Sequence, residues 1–253
     1  MHPTQLLPPL RLRPCAAGGC LPLAMAASPS IGTTLCEPTA NAAPLLKVTG
    51  YAWLPDETGQ HTVRRPLLTA LRDIAPPLTD AEITLEAQKH GRSLAWITLS
   101  DKGSLGLRED KSGPAIAELV AGTVPLCHSR GYLLPDDAGL LRALLTDLAL
   151  NQGYDIICTT GGTGLSPRDI TPQVTSALLD MPLPGFVQAM LAASLAKTPH
   201  AAISRAAAGV LGQSIILNLP GSRKAVLENL AAVLPALPHA LDKLHGDPAD
   251  CGG

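Results

Sequence analysis

Aromatic residues make up only 2% of this 253-residue chain, and Phe186 is its sole phenylalanine. A core built on stacked rings is therefore excluded, and Ala, Leu, Ile and Val must fill it, drawn from a 46% hydrophobic composition. Charge of one sign is also missing. A formal net charge of −2 gives no electrostatic footprint for a nucleic-acid partner. No run is long and apolar enough to span a bilayer. The six cysteines (Cys15, Cys20, Cys36, Cys127, Cys158 and Cys251) form no C-x-x-C pair and no Cys/His cluster with zinc spacing. That usage suits reduced thiols in a cytoplasmic protein better than a disulfide framework. A secretory signal is poorly formed. Arg11 and Arg13 precede a mildly apolar stretch ending near Ala26, but Pro14, Gly18, Gly19 and Pro22 break it. Translation starting at Met25 is an alternative reading of the same segment.

Along the chain, residues 1–45 are rich in Pro, Gly, Ala, Ser and Thr without periodicity, and read as a disordered leader. Residues 46–92 read as an appendage or linker. A short helix is expected over Val63 to Ile74, and a second helix start at Thr79-Asp80-Ala81-Glu82. His61 and His90 are isolated there and carry no chemistry.

From residue 93 to 246 apolar strands alternate with amphipathic helices. Expected strands are Leu94–Leu99, Thr123–Cys127, Tyr154–Thr159 and Ser214–Leu219. Expected helices run from Ser112 to about Ala121, from Pro135 onward, over Thr171–Leu179 and Gly185–Ala196, and from Ser222 to about Leu244. The implied fold class is α/β: three layers, a mostly parallel sheet with helices on both faces, preceded by a largely irregular N-terminal extension. Ligands of such sheets bind beyond the carboxyl ends of the strands. Three polar or glycine-bearing loops fall there: Ser100-Asp101-Lys102, Thr160 to Asp169, and Pro220-Gly221-Ser222.

The run Thr159-Thr160-Gly161-Gly162-Thr163-Gly164 has the composition of an anion nest, with glycines for close backbone approach and threonine hydroxyls as donors. No Gly-Lys-Ser/Thr follows, so it is not a Walker A loop, and Pro167 stands where a dinucleotide fingerprint needs its third glycine. A tight turn without a ligand has the same composition. Asp169 changes the balance, because a carboxylate beside bound phosphate needs a cation between them, and Mg²⁺ is the usual one. Asp101, Asp110, Asp136 and Asp137 are the candidates for a second carboxylate. Asp136 and Asp169 also read as acids at helix starts. Ser222 reads as an N-cap. Lys102 and Arg205 are candidate phosphate clamps, and Lys197, Arg223 and Lys224 stand in the same position.

These motifs, in this order, resemble the molybdopterin adenylyltransferases, a group that includes the bacterial enzymes and the G domain of gephyrin. The resemblance rests on Thr159–Gly164 with Pro167-Arg168-Asp169-Ile170-Thr171-Pro172, Leu99-Ser100-Asp101, Glu109-Asp110-Lys111-Ser112-Gly113 and Leu134-Pro135-Asp136-Asp137. Pro184-Gly185-Phe186, Ile203-Ser204-Arg205 and Leu217–Ser222 follow. It covers about Leu94 to Leu244, and residues 1–92 match nothing in it. The stretch Val187–Leu191 departs from the acid and arginine that bacterial members often carry there. The resemblance implies a homotrimer that transfers AMP from ATP to molybdopterin with Mg²⁺, and a molybdenum-insertion protein as recipient. It implies catalytic and metal-holding roles for Asp136 and Asp169. It implies substrate contacts from Ser100, Asp101, Asp110, Ser112, Gly113, Thr160, Gly161, Gly162, Thr163, Gly164, Ser204, Arg205, Pro220, Gly221 and Ser222. A non-catalytic molybdopterin-binding module and a related nucleotide pyrophosphatase are the competing readings.

Overall fold

A computed structural model describes residues 5–22, 28–39, 42–56 and 58–247. Met25, the stretch around Ala26 and Cys251 lie outside the described residues. The chain divides into two compact units, Met1–Gly91 and Arg92–Gly253. Among the described residues, no helix is long and apolar enough to cross a membrane.

The first unit departs from the expectation of a disordered leader followed by helices. Its strands are β1 (Gln5–Leu6), β2 (Cys20–Pro22), β3 (Thr34–Cys36), β4 (Leu46–Pro55), β5 (Thr62–Ala70) and β6 (Glu86–Gln88). They form one antiparallel sheet in the order β1-β6-β3-β4-β5-β2. Leu7, Leu10, Leu12 and Leu35, all within 1–45, are buried with Leu46, Val48, Leu68 and Leu85. Scattered leucines thus suffice for a core once a sheet gathers them. The helix expected at Val63 is strand β5 instead. Pro66, Leu68 and Ala70 are buried at every second position, and Pro66 removes a helical hydrogen bond. Ile83, Leu85 and Ala87 are likewise spaced by two, which is the period of a strand, and they lead into β6 rather than a helix.

The second unit is the expected α/β layer. Its strands are β7 (Arg92–Leu99), β8 (Leu126–Leu134), β9 (Ile156–Thr160), β10 (Met181–Pro182), β11 (Ala208–Leu211) and β12 (Ser214–Leu219). The order is β10-β11-β12-β9-β7-β8. Strands β12, β9, β7 and β8 are mutually parallel, and β10 and β11 add an antiparallel edge. The helices are α1 (Asp101–Ser104), α2 (Ser112–Ala121), α3 (Ala138–Thr146), α4 (Thr171–Ser176), α5 (Pro184–Leu195), α6 (Arg223–Val233) and α7 (Leu237–Leu244). Helix α6 packs on α2 and α5, while α3 contacts α4. Leu94, Ile156, Cys158, Ile215 and Leu217 share one core with Ile116, Met190, Val226 and Leu230. The alternate residues Ala95, Ile97, Ile157 and Ile216 are buried too, so both faces of these strands are covered.

Some boundaries differ; α4, for one, ends at Ser176 rather than Leu179. The second strand starts at Leu126 and runs to Leu134, later than Thr123 and well past Cys127. The closing helix breaks at a 3₁₀ turn, Leu234–Ala236, where Pro235 and Pro238 lack the N–H groups a continuous helix needs. Helix α1 and strands β10 and β11 are elements that the sequence pattern did not indicate.

Candidate functional site

The carboxyl ends of β7, β8, β9 and β12 share one edge of the sheet, because the four strands are parallel. Strand β7 has β8 on one side and β9 on the other, so the direction in which the sheet grows reverses there. A crevice beyond the strand ends is expected at such a reversal. It is a cavity of about 760 Å³ lined by Thr98, Ser100, Asp110, Ser112, Thr160, Gly161, Gly221 and Ser222. Arg108, Lys111 and Arg223 add positive charge, and Glu109, paired with Lys111 at 3.5 Å, offsets part of it.

Hydrogen bonds between loops lace its floor. The Thr160 hydroxyl donates to the Pro220 carbonyl at 2.7 Å, and the Ser112 hydroxyl donates to the Gly221 carbonyl at 3.1 Å. Gly161 has φ +100°, and a Cβ there would lie 2.5 Å from the Leu99 carbonyl oxygen. Ser100 and Ser222 cap α1 and α6 by accepting from the Gly103 and Ala225 N–H groups. The Asp110 carboxylate accepts from the Thr98 hydroxyl at 2.6 Å and from the Ser112 and Gly113 N–H groups at 3.0 and 2.9 Å. It therefore holds the start of α2 on β7 rather than standing free for a ligand. A Cβ at Gly113 would lie 2.4 Å from both the Asp110 carboxylate and the Trp96 indole nitrogen.

From Gly161 the chain leaves this cavity and reaches a second one at Leu165. The second is about 500 Å³, lined by Arg142, Leu165, Ser166, Pro167, Asp169, Gln173 and Arg205 among others. The Thr171 hydroxyl donates to the Gly161 carbonyl at 2.9 Å, and the Thr171 N–H donates to the Gly162 carbonyl at 3.2 Å. Thr163 is buried, and its carbonyl accepts from the Arg205 N–H at 3.1 Å. The Arg205 guanidinium donates to the carbonyls of Gly164 at 2.7 Å and Asp169 at 2.6 Å. The Asp169 carboxylate accepts from the Ser166 N–H at 2.8 Å.

Acids connect the two halves. Asp101 accepts from the Asp136 backbone N–H at 3.1 Å and pairs with Arg168. Asp137 caps α3 through the Leu140 N–H at 2.8 Å, which removes it from the set of free carboxylates. The Asp136 carboxylate is half-buried and accepts no hydrogen bond among the described residues. Burial first, and the charge of Asp169 second, raise its pKa above the ordinary value. A carboxylate without a partner, pressed by a second one, is the donor set a divalent cation relieves. Among the described residues, no cluster of three or more His, Cys, Asp or Glu could enclose a metal by itself. A cation here would take its remaining ligands from phosphate and water.

The expected residues thus divide. Ser100, Asp110, Ser112, Thr160, Gly161, Gly221 and Ser222 line the first cavity, and Asp169 and Arg205 line the second. Ser204 ends the 3₁₀ turn Pro199–Ile203 and lines neither cavity. The same holds for Asp101, Gly113, Asp136, Gly162, Thr163, Gly164 and Pro220, and for Lys102, Lys197 and Lys224. Sequence reasoning left Arg108, Lys111 and Arg142 out of the site. The signal for Arg108 was its place in the loop between β7 and α2, and Lys111 also stood inside the Glu109–Gly113 motif of the resemblance.

Residues 95–239 match the family model described as a probable molybdopterin binding domain. Gephyrin from Dictyostelium discoideum is 36% identical over 194 residues, covering 72% of this chain; the chain spans about a quarter, 27%, of that relative's length. A molybdopterin adenylyltransferase from Helicobacter pylori is 38% identical over 153 residues, covering 60% of this chain and 86% of the relative. Among solved structures, the molybdopterin biosynthesis enzyme MoaB from Thermus thermophilus superposes with a TM-score of 0.57 at 45% identity, over 63% of this chain and 99% of that one. A parallel sheet with its cavity at the β7/β9 reversal, and a family model that spans β7 to α7, together establish that the chain belongs to the molybdopterin-binding domain family of molybdenum-cofactor biosynthesis.

Proposed function

We propose that the Arg92–Gly253 unit transfers the adenylyl group of ATP to the terminal phosphate of molybdopterin, releasing pyrophosphate, in the presence of Mg²⁺. The observation that carries this reading is the glycine loop, which runs from a cavity lined by Arg108, Lys111 and Arg223 to Asp169, whose charge reaches the half-buried Asp136. The adenylyltransferase names of relatives such as the Helicobacter pylori protein support it.

A pterin phosphate oxygen forms the new bond to the α-phosphorus of ATP. The bond from that phosphorus to the bridging oxygen breaks, and its electron pair leaves on pyrophosphate. The nucleophile is already an anion, so no strong general base is needed. Asp136 and Asp169 would hold Mg²⁺, which supplies neutralising charge between carboxylates and phosphates. Arg108, Lys111 and Arg223 line the cavity where leaving-group charge would need offsetting. Gly161 lets a phosphate approach the backbone, and the laced loops hold reactants in one geometry. The same reading makes the chain a cytoplasmic homotrimer that hands its product to a molybdenum-insertion protein, supported by the family resemblance.

Asp169→Ala tests the reading. Transfer should be abolished while much of the molybdopterin binding remains. Normal turnover by that variant would overturn the Mg²⁺ assignment. Tight pterin binding by the unmodified chain without nucleotide transfer would favour a non-catalytic binding module.

A further inference from the structure

Arg205 stands in the connection between the 3₁₀ turn Pro199–Ile203 and β11, outside the glycine loop itself. Yet three of its donors go to that loop. Its backbone N–H reaches the Thr163 carbonyl, Nε reaches the Gly164 carbonyl, and Nη2 reaches the Asp169 carbonyl. The acceptors at 164 and 169 are the two ends of one short excursion. Inside it, Ser166 and Asp169 bond each other twice: the Ser166 N–H donates to the Asp169 carboxylate and the Asp169 N–H to the Ser166 carbonyl, both at 2.8 Å. The side chain of Asp169 is thus oriented from within the excursion, and its backbone is anchored from outside by one guanidinium.

We infer that Arg205 is a positioning residue that sets the Asp169 carboxylate beside Asp136 by clamping the Gly164 and Asp169 carbonyls, rather than a clamp for substrate phosphate. A guanidinium suits this because Nε and an Nη donate in parallel from one rigid edge, which matches two carbonyls held side by side. A lysine presents one rotating ammonium and cannot fix both ends in that way. The importance of Asp169 rests on the adenylyltransferase reading, whereas the clamp itself does not.

The experiment compares the full chain with Arg205→Ala, Arg205→Lys, Asp169→Asn and the Arg205→Ala/Asp169→Asn double variant. Hydrogen exchange at the Ser166 and Asp169 amides reads the clamp without any turnover. Both Arg205 variants should exchange there about tenfold faster or more, with cooperative melting retained in Arg205→Lys. Turnover reads the consequence. kcat should fall about 10- to 100-fold with the KM for ATP little changed, and guanidinium ion should partly rescue Arg205→Ala. The double variant should be no slower than Asp169→Asn alone, because the two act as one unit. Unchanged exchange at 166 and 169 in both Arg205 variants would overturn the inference. So would a raised KM for ATP at unchanged kcat, which is the signature of a substrate clamp. If the unmodified chain shows no transferase activity, the adenylyltransferase reading fails and the exchange arm alone decides the clamp.

Discussion

Burial, reinforced by the charge of Asp169, holds the Asp136 carboxyl above the ordinary carboxylate range. A carboxyl whose pKa is raised by folding stabilises the native state most below its unfolded pKa of about 4. That contribution is lost as pH rises through the raised folded value. Near neutral pH the metal-free native state therefore carries the cost of the ionised pair. Asp169→Asn should raise the melting temperature of the metal-free chain at pH 7, and the gain should vanish toward pH 4. The unmodified chain should gain stability from added Mg²⁺ and the variant should gain little, since a ligand stabilises only the state that binds it. Thermal melts across pH, with and without Mg²⁺, check both signs.

Gly161 offers a backbone test. At φ +100°, with the Leu99 carbonyl oxygen 2.5 Å from an added Cβ, alanine is strained twice over. Gly161→Ala should cost about 1–3 kcal/mol of stability, visible as a lower denaturant midpoint. It should also lower phosphate-dependent binding more than its stability loss explains, because the loop joining β9 to the cavity must move away from Leu99.

Trp96 reports on the cavity wall. A Cβ at Gly131 would lie 2.4 Å from its ring, and one at Gly113 would lie 2.4 Å from its indole nitrogen. Gly113→Ala and Gly131→Ala should each destabilise by about 1–3 kcal/mol through overpacking. In a Trp53→Phe background, which removes the exposed second tryptophan, Trp96 fluorescence should shift in both variants. ATP should perturb that fluorescence in the unmodified wall, because Asp110 and Gly113 connect the indole to the cavity lining.

Arg108, Lys111 and Arg223 are exposed cations on one cavity. Replacing any one with alanine should raise the KM for ATP about fivefold, a loss of ~1 kcal/mol, with little change in melting temperature. The effect should shrink as salt is raised. Steady-state kinetics at two ionic strengths tests this.

The α/β layer was legible because Leu94–Leu99 and Ser214–Leu219 are short apolar runs with helices of clear periodicity between them. The site loops were legible for the same reason, since any loop at a parallel strand's carboxyl end is near the others. Roles inside the loops were less so. Asp110 and Asp137 look like free acids in a linear reading, but each is spent on helix-start N–H groups. Arg205 looks like a phosphate clamp until its two carbonyl partners, 41 and 36 residues earlier in the chain, are seen. Much of the first unit was hidden because β1, β2, β3 and β6 are only two or three residues long and most of their pairings are non-local. Leu35 is paired with both Leu46 and Ala87, and composition carries no trace of that.

The central claim is transfer of AMP to molybdopterin, and one measurement reads it directly. The full chain is incubated with molybdopterin, Mg²⁺ and ATP labelled at the α-phosphate. The account predicts label on the pterin, one pyrophosphate released for each adenylyl group transferred, and neither product when molybdopterin is left out. Label appearing as free AMP, or pterin bound tightly with no label on it, would contradict the account.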